Sequence, residues 1–459
     1  MTYRRIAILS PPFYSHFSPL LSLAQAFQRS GANVLVACSE SFEGNVRAAG
    51  LRFALLQINR NANTGVAQQT DQARAEAERQ AAFFQATREG PIATLKLQSE
   101  HRRLDMLTDP ERLREEIAAL AAQEQPDLFV VDQLSYAVSL ALYCLRLPFI
   151  TYCPGHPTYI PRGNQLFGVP YVWPTEFQIP EPDLQALRQV AEQTKREFTG
   201  IFNAVIQAYD PALSPIPDAF RFASTRAIVF NYPDFGHLHH HEKDRVHKIF
   251  MGYAFESEPL APDWKARLAQ AGPEGPRVLI TLGTFLSARH DVLNRCVRAV
   301  KRAAPDSTVV VSAGANVGRM AHSPGDGVFA DAFVPQKGLL PYMDLVVHHG
   351  GCNSFTETLF YGKPMLILPF SSDQFSIGHD AQAAGLAECL DPNRFSDEEL
   401  GEKMARMLTD SDPRTDSDPR AGRRESLARW QRHVAARGPD YAVRQIQSRT
   451  RQDIVRRDR

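Results

Sequence analysis

One stretch limits the fold more than any other: Phe333 to Gln374, which reads FVPQKGLLPYMDLVVHHGGCNSFTETLFYGKPMLILPFSSDQ. Two apolar runs, Leu345 to Val347 and Pro364 to Pro369, bracket a Gly-Gly turn and an amphipathic segment from Asn353 to Tyr361. Uninterrupted apolar runs suit strands buried on both faces, and the segment between them has the length and pattern of a helix. The stretch predicts strand, tight loop, helix, strand, which is one βαβ unit of a parallel sheet. Its loop, His348-His349-Gly350-Gly351-Cys352-Asn353-Ser354, places imidazoles, glycines and small hydrogen-bonding side chains where the helix opens. Backbone N–H groups and the positive end of the helix dipole attract an anion there, and glycine lets it approach the backbone closely.

The ordered set Phe-x-Pro-Gln, Asp, His-Gly-Gly-x-Asn-Ser-x-x-Glu, Gly-x-Pro-Met and Asp-Gln resembles the donor-binding signature of the UDP-glycosyltransferase superfamily, including its plant and bacterial natural-product enzymes. The resemblance implies an α/β chain of the GT-B kind, two Rossmann-like doubly wound domains facing across a cleft. Carried over residue by residue, it implies that Phe333 stacks on the nucleotide base and that Gln336 lies beside base and ribose. His349, Asn353 and Ser354 would hold the diphosphate, Glu357 the ribose hydroxyls, and Asp373 with Gln374 the hydroxyls of the transferred sugar, with Gly351 also among the donor-binding residues. Cys352 stands where plant members carry Trp, so a sugar contact at that position would come from its backbone. An aromatic face suits a base, a carboxylate suits a diol, and hydrogen-bond donors suit a pyrophosphate.

The same order of elements can be followed through most of the chain. Arg5 to Ser10 reads as a buried first strand and Pro19 to Arg29 as a helix, with Ser18 as N-cap and proline at the first helical position. The loop between them, Pro11 to Phe17, sits where a doubly wound sheet binds ligands. It carries His16, a general-base candidate because an imidazole titrates near neutrality. His-x-x-Pro-x-x-x-Leu-Ala, His16 to Ala24, is similar to the family's catalytic-histidine segment. Pro126 to Asp132 reads as a strand ending in a carboxylate, and the resemblance implies that Asp132 orients His16 and stabilises its imidazolium. Gly283-Thr284, after a strand at Arg277 to Leu282, resembles the family's phosphate loop. The opening loop has no GxGxxG, which argues against a dinucleotide enzyme.

At 459 residues the chain is long enough for two cored domains. The expected division is 1–250 for the acceptor, 251–422 for the nucleotide sugar and 423–459 as a helical segment crossing back. Between the second strand (Val34 to Cys38) and Pro126 lies a polar, helix-prone region, Ala67 to Gln123, that resembles the variable acceptor side of relatives. Tyr152 to Asp183 is dense in proline and aromatics, which excludes a regular helix and suits a loop over the acceptor cleft. With 51 Lys+Arg against 51 Asp+Glu, no net field points to nucleic acid. The six cysteines show no CxxC spacing, so neither a disulfide framework nor a metal site is expected. The histidine cluster from His237 to His247 and the hexapeptide TDSDPR, written twice over Thr409 to Arg420, read as surface loops. No apolar run is long enough to span a membrane and no secretory leader is evident, so a cytoplasmic location is expected.

The resemblance implies a metal-independent inverting transferase that moves a hexose, glucose from UDP-glucose, to a hydroxyl of a small lipophilic or aromatic acceptor, with a nucleotide sugar as co-substrate and no resident cofactor. The alternatives are a TDP-sugar-dependent macrolide or polyketide glycosyltransferase and a catalytically silent nucleotide-sugar-binding partner protein.

Overall fold

The computed structural model describes residues 3–59, 74–236, 246–271, 275–320, 325–409 and 419–457. Their strands form two wholly parallel sheets. The first contains β1 (Arg5–Leu9), β2 (Asn33–Cys38), β3 (Arg52–Leu55), β4 (Leu128–Asp132), β5 (Phe149–Cys153), β6 (Ala227–Phe230) and β7 (His247–Phe250), in the order β3-β2-β1-β4-β5-β6-β7. The second contains β8 (Arg277–Thr281), β9 (Thr308–Ser312), β10 (Val328–Asp331), β11 (Leu345–His348), β12 (Met365–Ile367) and β13 (Ala387–Cys389), in the order β10-β9-β8-β11-β12-β13. Strand order reverses between β1 and β4 and again between β8 and β11. At such a reversal the connections leave to opposite faces of the sheet and open a crevice beyond the strands' carboxyl ends.

The apolar runs behave as the sequence predicts. Ala7, Ile8 and Leu9 of β1 and Leu345, Val346 and Val347 of β11 are wholly buried, each larger side chain contributing about 1.5–3 kcal/mol by leaving water. Helix His290–Ala303 buries Val292, Leu293, Cys296, Val297, Ala299 and Val300, the stripe of a helix lying on a sheet. All six cysteines are free and buried.

The first helix departs from expectation. It runs from Tyr14 to Arg29, after an extended Phe13, so Ser18 is not its cap and Pro19 lies inside it. The ladder starts early because the Phe13 carbonyl accepts the N–H groups of both His16 (2.9 Å) and Phe17 (2.8 Å). Pro19 has no N–H to give the carbonyl of Ser15 one turn back. That oxygen instead accepts Asn353 Nδ2, from the second sheet's half, at 2.8 Å. A smaller difference is that Gly283 and Thr284, read as a loop, open a short helix, Gly283–Leu286.

The polar region becomes three helices, Arg74–Glu89, Pro91–Asp105 and Pro110–Glu124. The first packs on the second sheet's half: Phe83 joins the cluster of Val278 and Ile280, with its ring 5.1 Å from that of Phe285. The fully buried Arg289 donates from Nη1 to the Thr87 carbonyl at 3.0 Å. The chain's last helix, Pro439–Arg457, returns to the first sheet's half, where Ala442, Val443 and Ile446 enter the core beside Ile6, Phe27 and Val34. Arg29 donates through Nε and Nη2 to the two carboxylate oxygens of Asp440, at 3.1 Å each. Residues 237–245 and 410–418, which hold most of the histidine cluster and of the repeat, lie outside the described residues.

Because Ile446, with Ala442 and Val443 of the same helix, is buried in a core whose other residues come from far earlier in the chain, Ile446→Ala should destabilise the protein by about 2–4 kcal/mol. A lowered midpoint of thermal unfolding checks this, and an unchanged midpoint would mean that the last helix is not seated there.

Candidate active site

The two strand-order reversals face one cavity of about 700 Å³. On the first half, Asp132 ends β4 fully buried, and its Oδ1 accepts the Leu134 N–H at 2.8 Å. Its Oδ2 lies 2.8 Å from Nδ1 of His16, in the first turn of the helix that follows β1. Nδ1 therefore carries the proton, and Nε2 is the basic nitrogen. Burial alone would lower the His16 pKa, but the charge and hydrogen bond of Asp132, with a smaller push from Asp373, outweigh it. The net shift is upward from 6.5.

On the second half, the loop after β11 opens helix Cys352–Phe360. Gly351 is the N-cap and no side chain caps it, so the first N–H groups of this helix have no side-chain acceptor. Gly351, Cys352, Asn353 and Ser354 all line the cavity. The His349 ring lies against Gly283, whose φ of 73° and lack of a Cβ suit the close approach. Burial lowers the His349 pKa to about 4, only partly opposed by a hydrogen bond to the Thr281 backbone, and Nδ1 is buried without a partner. His348 behind it is driven to about 3 by burial and by His349, and accepts the Gly350 N–H at 3.0 Å. Both imidazoles are neutral at pH 7, so the charge that this loop offers an anion comes from the helix terminus.

Farther along the cavity Gln336 Nε2 donates to Glu357 Oε2 at 2.6 Å and, more weakly, to Ser354 Oγ at 3.4 Å. Burial lifts the Glu357 pKa to about 7 despite the Gln336 bond and nearby Lys337. Phe333 is 57 % exposed, an uncovered aromatic face at the cavity wall. Thr284 lines the same wall.

Asp373 and Gln374 both line the cavity but take different partners. Gln374 is turned into its own loop, where Oε1 accepts the N–H groups of Phe370 (2.9 Å) and Ser371 (3.1 Å) and Nε2 donates to Ser371 Oγ (3.2 Å). Asp373 reaches across to the first half, accepting the His156 N–H at 2.8 Å and the Tyr159 hydroxyl at 3.0 Å. A Cβ on Gly155 would collide with Asp373 Oδ2, so glycine there lets the halves meet. His156 Nε2 lies 3.0 Å from Asp380 Oδ2, which also accepts the Tyr232 hydroxyl at 3.1 Å. Asn353 is shared likewise: Oδ1 accepts Asn231 Nδ2 at 2.9 Å, while Nδ2 serves the Ser15 carbonyl. The Cys352 thiol donates to the Asn231 carbonyl, turning its side chain toward the first half.

Every candidate catalytic or donor-binding residue thus lines this one cavity, apart from Asp132, which stands behind His16. Sequence reasoning missed Arg102, His156 and Asn231. The only available signals were Gly155 between a proline and a histidine, and the carbonyl left free by Pro19.

Comparison with known proteins points to the same fold. Residues 299–429 match the family model described as erythromycin biosynthesis protein CIII-like, C-terminal domain. The chain is 24 % identical over 418 residues to NDP-glycosyltransferase YjiC of Bacillus subtilis (strain 168), covering 89 % of this chain and 90 % of that protein. It is 24 % identical over 413 residues to demethyllactenocin mycarosyltransferase of Streptomyces fradiae, covering 88 % and 79 %. Among solved structures, the glycosyltransferase of kitacinnamycin superposes with a TM-score of 0.67 at 21 % identity, over 97 % of this chain and 99 % of that one. Spinosyn rhamnosyltransferase SpnG complexed with thymidine diphosphate gives 0.60 at 20 %, over 96 % and 99 %. The fold is GT-B, and over nearly its whole length the chain is similar to glycosyltransferases.

The His16–Asp132 pair predicts a pH signature independent of any substrate. A raised imidazole pKa means that the pair's stabilisation is complete below 6.5 and is lost as pH rises through the folded value. In Asp132→Asn burial acts without the opposing charge, so the His16 pKa should fall below that of the wild type. NMR titration of the ring checks both values, and a wild-type pKa at or below 6.5 would contradict the pairing.

Proposed function

We propose that the chain transfers a hexose from a nucleoside-diphosphate sugar to a hydroxyl of a small lipophilic acceptor, with inversion at the anomeric carbon and no need for a divalent metal. The observation that carries this reading is the juxtaposition across one cavity of His16, oriented by a buried carboxylate, and an uncapped helix N-terminus.

In this reading the acceptor hydroxyl hydrogen-bonds to His16 Nε2. As its oxygen attacks C1, the proton moves to Nε2 and Asp132 stabilises the imidazolium. The C1–oxygen bond to the diphosphate breaks on the opposite side, and the departing charge meets the N–H groups of Cys352, Asn353 and Ser354. Neutral His349 shapes the loop and contributes no counter-charge. Phe333 stacks on the base, and Gln336 with Glu357 holds the ribose. Asp373, already tied to Tyr159, faces the hexose, while Gln374 supports the loop that presents it.

The donor in this proposal is UDP-glucose. A thymidine-diphosphate sugar is the second reading, favoured by the thymidine diphosphate in the superposable rhamnosyltransferase SpnG. The relatives' roles as an NDP-glycosyltransferase and a mycarosyltransferase support sugar transfer to a natural-product acceptor.

His16→Ala should lower turnover about 10²- to 10⁴-fold toward an unactivated alcohol, the ordinary worth of a positioned base, while binding of the free nucleotide stays near wild type. Steady-state kinetics with UDP-glucose and TDP-glucose, together with calorimetry of UDP and TDP, test this and distinguish the donors. Retention of most activity by His16→Ala would remove His16 from the reaction.

A further inference from the structure

The first half of the cavity holds a cation that the transfer reaction does not use. Arg102, on helix Pro91–Asp105, lies on the cavity wall with its guanidinium 4.5 Å above the centre of the Phe167 ring. Stacking occupies the flat face and leaves the edge, with five N–H groups, for hydrogen bonding. That edge is scarcely used: Nη1 is packed out of solvent against Gly168 with no hydrogen-bond partner, and Nη2 makes only a long bond to Ser372 Oγ at 3.3 Å. The nearby carboxylate, Asp373, already accepts from His156 and Tyr159. A desolvated guanidinium with an unused edge is costly unless something in the cavity completes it. Desolvation indeed pulls the Arg102 pKa down, with Tyr159, Tyr136 and Asp373 only partly restoring it.

The complement of a stacked guanidinium edge is a planar group that only accepts hydrogen bonds and carries negative charge on two oxygens. The side chains around Arg102 also belong to the first half. Phe167 stacks on Phe220, with centroids 4.4 Å apart, in the aromatic cluster of Tyr136 and Phe198, and Met106 and Leu134 line the same part of the cavity. His16 and Arg102 line the same cavity, so a small molecule within it has both a base for its hydroxyl and a cation for an anion.

We propose that Arg102 is the residue that selects the acceptor by charge, and that acceptors of this enzyme carry a carboxylate on the aromatic or lipophilic body whose hydroxyl is glycosylated. This rests on the function proposed above, so its test is a binding measurement that needs no turnover. The probes are 6-hydroxy-2-naphthoate and its methyl ester, titrated calorimetrically into the full chain saturated with UDP or TDP. The wild type should bind the acid at least tenfold more tightly than the ester. Arg102→Met should weaken the acid about 10- to 100-fold, the range of a lost charge-assisted hydrogen bond, and leave the ester within about twofold. Arg102→Lys, which keeps the charge and loses the fork, should fall between. If it does, the unchanged ester affinity also shows that the pocket is intact.

Equal binding of acid and ester by the wild type would overturn the proposal, as would equal losses of both in Arg102→Met, the result expected if Arg102 only packs on Phe167. It would also fail if Arg102→Met weakened UDP-glucuronate relative to UDP-glucose while sparing the acid, because the cation would then read the donor sugar. Selective binding of the acid with no glycosylated product would leave this assignment standing and count against the transferase reading alone.

Discussion

A single reversal of strand order in each parallel sheet governs what this molecule presents to a ligand. Connections after β1 and β4 diverge at the first reversal, and their neighbouring carboxyl ends supply His16 and Asp132. Connections after β8 and β11 do the same at the second, supplying Gly283, Thr284 and the loop from His349 to Ser354. Neither site needs a specialised substructure. Parallel strands buried on both faces force their polar, function-bearing residues to the ends, and the reversal leaves those ends uncovered.

The two crevices become one site because specific polar groups bind across the gap. Asp373 takes two donors from the first half, Asp380 takes His156 and Tyr232, and Asn353 exchanges hydrogen bonds with Ser15 and Asn231. Apart from the exposed Ser15–Asn353 bond, these groups are buried or partly buried, where an unmatched donor or acceptor costs about 1–3 kcal/mol, so the halves have a defined register. The same contacts involve residues that a nucleotide sugar would approach. A ligand reaching Asn353 or Asp373 would share side chains that already hold the His16 helix and the Tyr159 segment, so its binding would be tied to the geometry around His16.

Much of this was legible in the sequence, for a physical reason. The βαβ unit, His16 and Asp132 each sit beside an uninterrupted apolar run, and such runs declare both the strand and the end at which chemistry collects. The first helix was misplaced because proline usually occupies a helix's first turn; here Pro19 sits deeper and gives up a carbonyl that Asn353 uses, 338 residues away in sequence. Arg102, His156 and Asn231 left no local pattern. Arg102 lies in a polar helical region where an arginine reads as solvated surface, and the partners of His156 and Asn231 are Asp380 and Asn353, 224 and 122 residues distant. Gln374 shows the opposite limit: it occupies the expected motif position and lines the cavity, yet spends its hydrogen bonds on its own loop.

The central claim is that an acceptor oxygen activated at His16 displaces a diphosphate held at the facing helix N-terminus in one in-line step. The anomeric configuration of the product, read by proton NMR at C1 after transfer from an α-linked nucleotide hexose, tests it most directly. Direct displacement predicts a β-linked product; an α-linked product would contradict the account, because attack from the His16 side with the diphosphate leaving on the opposite side inverts C1.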